Sequence, residues 1–257
     1  MVFDTRGRRR HVIRFVYAIL ALLMGASLFL VVGPFNLGEL VGGGTTDSAK
    51  VLDEQAERVE RKLQAEPGNE SLLLSLARTR VAAGNARAEV DPQTGAQILT
   101  PEGRQELQLA SEAWSRYLKQ TDEPNPSGAQ LMAGTYFGLA ETSGSIEETE
   151  TNIEEAVVAQ QIVAEARPSV GSLTSLAIYE YFAGDFAAGD AAARKAEAKV
   201  SKTEAKEVKK QLTEYRQRGK SYEAQKKEFA KLEKEQGKEA LQNPLGGLGT
   251  ETGSLGQ

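Results

Sequence analysis

The chain has 257 residues, 26% of them charged and 6% aromatic, with no cysteine and a single histidine. Without cysteine there are no disulfides, thiolate metal sites or cysteine nucleophiles, and an apolar fraction poor in aromatics suits helices packed through small residues better than a β-sandwich. Residues 1–32 carry five Arg and one Asp, whereas the rest carries 26 Lys+Arg against 35 Asp+Glu; an acidic body of this kind argues against nucleic-acid binding.

The first predicted element is a membrane span. After Arg14 no charge occurs until Glu39, which leaves 24 uncharged residues with an apolar centre from Phe15 to Val32. A spanning helix needs roughly 20 residues, and Gly33-Pro34 marks its end. Arg6, Arg8, Arg9, Arg10 and Arg14 precede the span, and the positive-inside rule then puts the N-terminus in the cytoplasm and the remainder outside. A cleaved signal peptide is the alternative, with Gly25-Ala26-Ser27 as its small-x-small site. The apolar run Leu28 to Val32 continues past that site and favours an uncleaved anchor. The boundaries that follow are a basic cytoplasmic flank at 1–14, a transmembrane helix at 15–34, a flexible linker at 35–48, a helical domain at 49–240 and a disordered tail at 241–257. The linker rests on Gly42-Gly43-Gly44 and Thr45-Thr46, and the tail on its glycines and lack of apolar periodicity.

Between linker and tail, start and stop signals divide the chain into eight predicted helices, at about 48–65, 70–84, 101–121, 127–143, 146–166, 170–183, 186–200 and 202–240. Asn69, Thr100-Pro101-Glu102 and Asn125-Pro126-Ser127 are N-terminal signals, and Ser145 with Glu148 and Ser201 with Glu204 have capping-box spacing. Gly84-Asn85, Gly144, Arg167-Pro168 and Gly184 are stops. No segment reads as strand, and 86–100 and 145–151 read as insertions between paired helices.

The segment that ends at Pro168 is followed by Leu173, Leu176 and Ala177, then Gly184-Asp185-Phe186, then Ala196. This resembles the tetratricopeptide repeat (TPR), in which leucine and a small residue line a first helix, a Gly-Asp-aromatic turn follows, and small residues let a second helix pack closely. Two further units resemble it less closely: Leu73, Leu76, Ala77 and Gly84-Asn85, with Ala110, Trp114 and Tyr117 on a late second helix; and Ala133, Tyr136, Phe137, Ala140 and Gly144, continuing into the helix of Ala156. The spacing is irregular, and Gly189 and Ala193 depart from the pattern. The resemblance covers about residues 50–200 and implies an all-α fold: antiparallel helix-pair repeats in a TPR-like α-solenoid, with a long C-terminal capping helix. An unrelated helical bundle with Ala-rich interfaces is the alternative. Stacking is expected because each pair exposes an apolar stripe that only a neighbouring pair buries.

The last helix carries the stripe Ala205, Val208, Leu212, Tyr215, Gly219, Tyr222 and Phe229, which suits capping or a short coiled coil; its other face is dense with Lys and Glu, the usual pattern of a solvated surface. Chemistry is hard to find. The only histidine, His11, lies in the basic flank, so no Ser-His pair exists in the domain, and no phosphate loop appears. The acids Glu147, Glu148, Glu150, Glu154 and Glu155 fit a helix N-terminus better than a calcium loop. Asn69-Glu70-Ser71 matches a glycosylation acceptor but reads better as a helix cap. Trp114 reads as core. The chain is therefore expected to be no enzyme, with no catalytic, cofactor or metal residues.

What the resemblance implies is a concave peptide groove lined by first helices, here with Leu74, Arg78, Glu141, Ile178 and Tyr181. Arg78 would meet a carboxylate and Tyr181 would serve as an aromatic anchor. The architecture is similar to bacterial inner-membrane TPR proteins. It implies a single-pass, membrane-tethered interaction scaffold of the cell envelope, with protein or peptide partners such as envelope or translocon components. The alternative is a structural homo-oligomer or spacer joined through the C-terminal helix.

Overall fold

The computed structural model describes residues 46–91 and 97–242. The expected basic flank and membrane span, the expected linker up to residue 45 and the expected tail from residue 243 lie outside the described residues. Among the described residues no helix is long and apolar enough to cross a membrane.

The fold is all-helical: α1 (Thr46–Ala65), α2 (Glu70–Ala86), α3 (Pro101–Leu118), α4 (Pro126–Glu141), α5 (Ile146–Ala166), α6 (Val170–Phe182), α7 (Phe186–Glu197) and α8 (Lys202–Gln242). Two corrections to the sequence reading arise. Thr46, Asp47 and Ser48, expected in the linker, form the first turn of α1, because small polar residues serve helix starts as well as linkers. The insertion between α2 and α3 contains two short strands, β1 (Glu89–Val90) and β2 (Gln97–Ile98), paired antiparallel with Glu89 opposite Ile98.

Caps define the helix starts. Asn69 Oδ1 accepts the Leu72 amide at 3.1 Å, and its Nδ2 donates to Glu66 at 2.6 Å, so the amide group is engaged in the cap. Thr100 accepts from Gly103, Asn125 from Ser127 and Gly128, Ser145 from Glu148, and Asp185 from Ala188. Ser169 and Ser172 form a reciprocal capping box. Each of these caps satisfies amide donors that the first helical turn cannot pair internally.

The helices pack chiefly with their sequence neighbours, as the pairs α2/α3, α4/α5 and α6/α7, with α1 against α2 and α8 across α6 and α7. The pairs are antiparallel. Arg116 near the end of α3 reaches the Pro67 carbonyl before α2, and Arg167 after α5 reaches Ser127 at the start of α4. On α1, Ala49, Ala56 and Leu63 are buried at steps of seven, the repeat of a helix with one covered face. Helix α6 is different: Leu173, Ala177, Ile178, Tyr179, Tyr181 and Phe182 are all buried, because α5, α7 and α8 all pack on it. One continuous core runs through the stack, with Phe137 stacked on Tyr179 at 4.8 Å and edge-on to Phe182 at 5.9 Å.

Glycine sets the closest approaches. A Cβ at Gly84 would lie 2.8 Å from the Gly103 carbonyl oxygen, and a Cβ at Gly219 would lie 2.3 Å from that of Tyr181. Gly184, at φ +83°, makes the α6–α7 turn in the left-handed region that glycine enters without strain. By contrast nothing lies within 4 Å of a Cβ built on Gly134. Gly219→Ala is therefore expected to lower the unfolding free energy by about 1–3 kcal/mol through overpacking. Gly134→Ala should raise it by about 0.5–1 kcal/mol through helix propensity. Urea unfolding followed by circular dichroism reads both signs.

Candidate interaction face

The first helices of the three pairs, α2, α4 and α6, each carry an exposed or half-exposed row made mostly of small side chains. On α2 the row is Ser71, Ser75, Arg78 and Ala82, all exposed or half-exposed. On α4 it is Ser127, Leu131, Gly134 and Gly138. The steps of three and four keep each row on one helix face. A Cβ at Gly134 or Gly138 would meet nothing within 4 Å, so the α4 backbone itself is open to a partner there. On α6 the row is short, Gly171 with half-buried Thr174 and Ser175, before burial closes it at Ile178.

The expected groove residues separate into three sets. Leu74 and Arg78 lie together where α2 meets the start of α4. The Leu74 methyl occupies the space a Cβ on Gly128 would need, at 2.6 Å, and Arg78 Nη2 donates to Asn125 Oδ1 at 3.0 Å. Arg78 is exposed, and the group it donates to is a neutral amide. Glu141 closes α4, half-buried, and its charge adds to burial in raising the Tyr179 pKa. Ile178 and Tyr181 are corrections. They are 5% and 2% exposed and belong to the core. The Tyr181 ring packs where Gly189 of α7 has no side chain, and its hydroxyl donates to Asp190 at 3.0 Å. Its aromatic surface therefore joins α6 to α7 and is not available as an anchor. Trp114 lies in the core, 1% exposed, beside Tyr117 and over Gly128.

Three polar clasps hold the stack in register. Arg80, nearly buried on α2, donates to Glu60 of α1 at 2.6 Å and to Glu106 of α3 at 2.7 Å. Burial alone would lower its pKa; the two carboxylates outweigh that and raise it. Asp190 of α7 receives Arg216 of α8 in a two-point pair, at 2.8 and 3.0 Å, with the guanidinium over the Phe186 ring. Lys226 of α8 joins Glu150 of α5 at 2.6 Å and Glu223 at 2.5 Å. Burial pulls the Lys226 pKa down, and the two carboxylates more than offset it. The acidic start of α5 is likewise engaged, since Glu148 also pairs with Arg104 at 3.0 Å. A cavity of about 290 Å³ beside it is lined by Gln108, Leu139, Glu147, Glu148, Thr151 and Asn152. Among the described residues no group of three or more His, Cys, Asp or Glu side chains is arranged to hold a metal ion.

The sequence reading passed over Gly134 and Gly138. Their signal was present in the α4 register, where two glycines four apart share a face with Ser127 and Leu131. No protein-family model, no curated protein and no solved structure matches the chain.

The hydrogen bonds from Arg216 hold the Asp190 carboxyl below its usual 3.8. A carboxylate whose pKa is lower in the folded state stabilises the fold above its unfolded pKa, and that stability is lost as pH falls through the folded value. Asp190→Asn should lower the melting temperature by a few degrees at pH 7. The gap to the native chain should narrow below pH 3.8. Melting curves from pH 7 to pH 2 measure it.

Proposed function

We propose that this chain is a membrane-tethered interaction scaffold: an N-terminal span at 15–34, a short tether, and a TPR-like α-solenoid that binds peptide or protein partners on the far side of a bacterial cytoplasmic membrane. The observation that carries the binding reading is the open backbone at Gly134 and Gly138. Helical glycine costs about 1 kcal/mol relative to alanine. At Gly84, Gly103, Gly128, Gly189 and Gly219 a neighbouring helix fills the space a side chain would need. At Gly134 and Gly138 no neighbour does, and an extended peptide lying across the first helices would give those two glycines the same use.

The TPR likeness gains support from the last pair. Leu173, Ala177 and Ala196 are buried, Gly184 turns the chain, Asp185 caps α7, and Phe186 stacks on Tyr181 at 6.2 Å. The successive pairs α2/α3, α4/α5 and α6/α7 supply three units, about the minimum for a stable stack. Arg78 beside Asn125 is the cation that would take a partner's carboxylate. The envelope location rests on the sequence of residues 6–39 and on the positive-inside rule. The self-zipper reading loses ground, because Leu212, Tyr215, Gly219 and Tyr222 of α8 are already buried.

A double variant, Gly134→Arg with Gly138→Arg, blocks the face without touching the core. Affinity capture of the full chain from detergent-solubilised envelopes should retain proteins that this variant loses by tenfold or more, while both melt cooperatively. Equal capture by the two chains would overturn the assignment of the face.

A further inference from the structure

The lysines and glutamates of α8 do not share its surface evenly. Lys202, Lys206, Lys209, Lys220, Lys227 and Lys231 are all exposed. They recur at helical steps of three, four, seven or eleven residues, so they form one row. Thr213 and Ala224 occupy two intervening turns of that row. The five glutamates between 202 and 231 all fall outside it. Glu204 closes the cap with Ser201 and Glu223 holds Lys226, and Glu207, Glu214 and Glu228 fall toward the other flank. Over this stretch ten Lys+Arg stand against five Glu, whereas residues 46–201 carry 14 Lys+Arg against 25 Asp+Glu.

This differs from an ordinary solvated helix. On α1, Glu54 pairs with Arg58 and Glu57 with Arg61 at the i,i+4 spacing that neutralises charge along a helix. On α8, Lys202 faces Lys206 and Lys227 faces Lys231 at that same spacing, which disfavours the helix. None of the ion pairs among the described residues engages Lys202, Lys206, Lys209, Lys220 or Lys227. The row runs about 44 Å, from 29 rises of 1.5 Å.

We propose that this row is a docking surface for an anionic lipid bilayer, and that it lays the domain on the membrane along α8. It rests on the tether proposed above, which keeps the domain within reach of a bilayer. A straight row of lysines, with no exposed aromatic residue and no apolar anchor in it, suits a charged plane. A protein hot spot would need an aromatic or arginine set in a pocket, and single-stranded nucleic acid would need aromatic stacking platforms. Lysine supplies point charge, which lipid headgroups attract without a fixed geometry. The acidic body does not defeat the attraction. Glu150 and Asp190, the carboxylates that α5 and α7 bring against α8, are already paired with Lys226 and Arg216, and the buried seam of Leu212, Tyr215 and Tyr222 lies on a different side of α8 from the row.

The chain has no native cysteine, so one fluorophore can be placed by Ala224→Cys in the row and, in a separate chain, by Gln55→Cys on α1. The full chain is reconstituted into vesicles of phosphatidylcholine alone or with 30% phosphatidylglycerol, and energy transfer to a rhodamine lipid is read. The expected result is at least a twofold gain in transfer at position 224 with the anionic lipid. The gain should vanish in 1 M salt and in the variant with Lys206, Lys209, Lys220 and Lys227 changed to Gln, and no comparable gain should occur at position 55. Equal transfer in both lipids, or a gain that survives the four substitutions, overturns the proposal. Carbonate extraction tests the tether separately. If the chain is extracted, the tether reading fails, and the row is then tested by flotation. There each lysine is worth roughly fivefold in partitioning to anionic vesicles. Equal flotation of native chain and fourfold variant would overturn the row as well.

Discussion

The fold depends on helices meeting where one of them has no side chain. Backbone approaches backbone at Gly84 with Gly103 and at Gly219 with Tyr181, and the Tyr181 ring fills the gap above Gly189. Buried alanines continue the same theme along the seams, as at Ala110, Ala133, Ala156 and Ala177. Such contacts bring many dispersion partners close without long side chains to order. They also explain how a domain with few aromatic residues holds a continuous core. Three of its aromatic rings, Phe137, Tyr179 and Phe182, meet between α4 and α6, and another pair, Trp114 with Tyr117, sits on α3.

Much of this was legible in the sequence because it is local. Asn69, Thr100, Asn125, Ser145 and Ser201 announce helix starts through their own side chains, and all five act as caps. The cap at Ser169 was not legible, since its partner at the third position is Ser172 in place of the usual Glu or Gln. The strands β1 and β2 are two residues long and carry no periodicity to read. Ile178 and Tyr181 were misplaced for a tertiary reason: helical register assigns a face, but only the packing of α7 and α8 decides that the face is covered. The same limit applied to α8, where a mixed run of Lys and Glu in sequence separates into a row and its flanks once the buried seam fixes the helix rotation.

Charge is organised on the same plan. Inside the stack, cations are matched one by one: Arg80 by Glu60 and Glu106, Arg87 by Asp53, Arg216 by Asp190, Lys226 by Glu150 and Glu223. Most of these pairs join consecutive helices, and Lys226 with Glu150 reaches from α8 back to α5. They are positioning contacts, since partly buried pairs add modest stability while making wrong registers costly. Outside the stack, the first-helix face is nearly uncharged apart from Arg78, and the far edge of α8 is basic. One surface suits a peptide and the other an anionic plane, and the two are borne by different helices.

The reading joins these surfaces to a chain held in a membrane by residues 15–34, with the helical domain outside the cytoplasm. The most direct test is protease accessibility of a C-terminal tag on the full-length protein in intact spheroplasts, with chain size read on the same gel. The account predicts a full-length chain whose tag is digested from outside without lysis. A tag protected until the membrane is broken would contradict it and would place the helical domain among cytoplasmic partners.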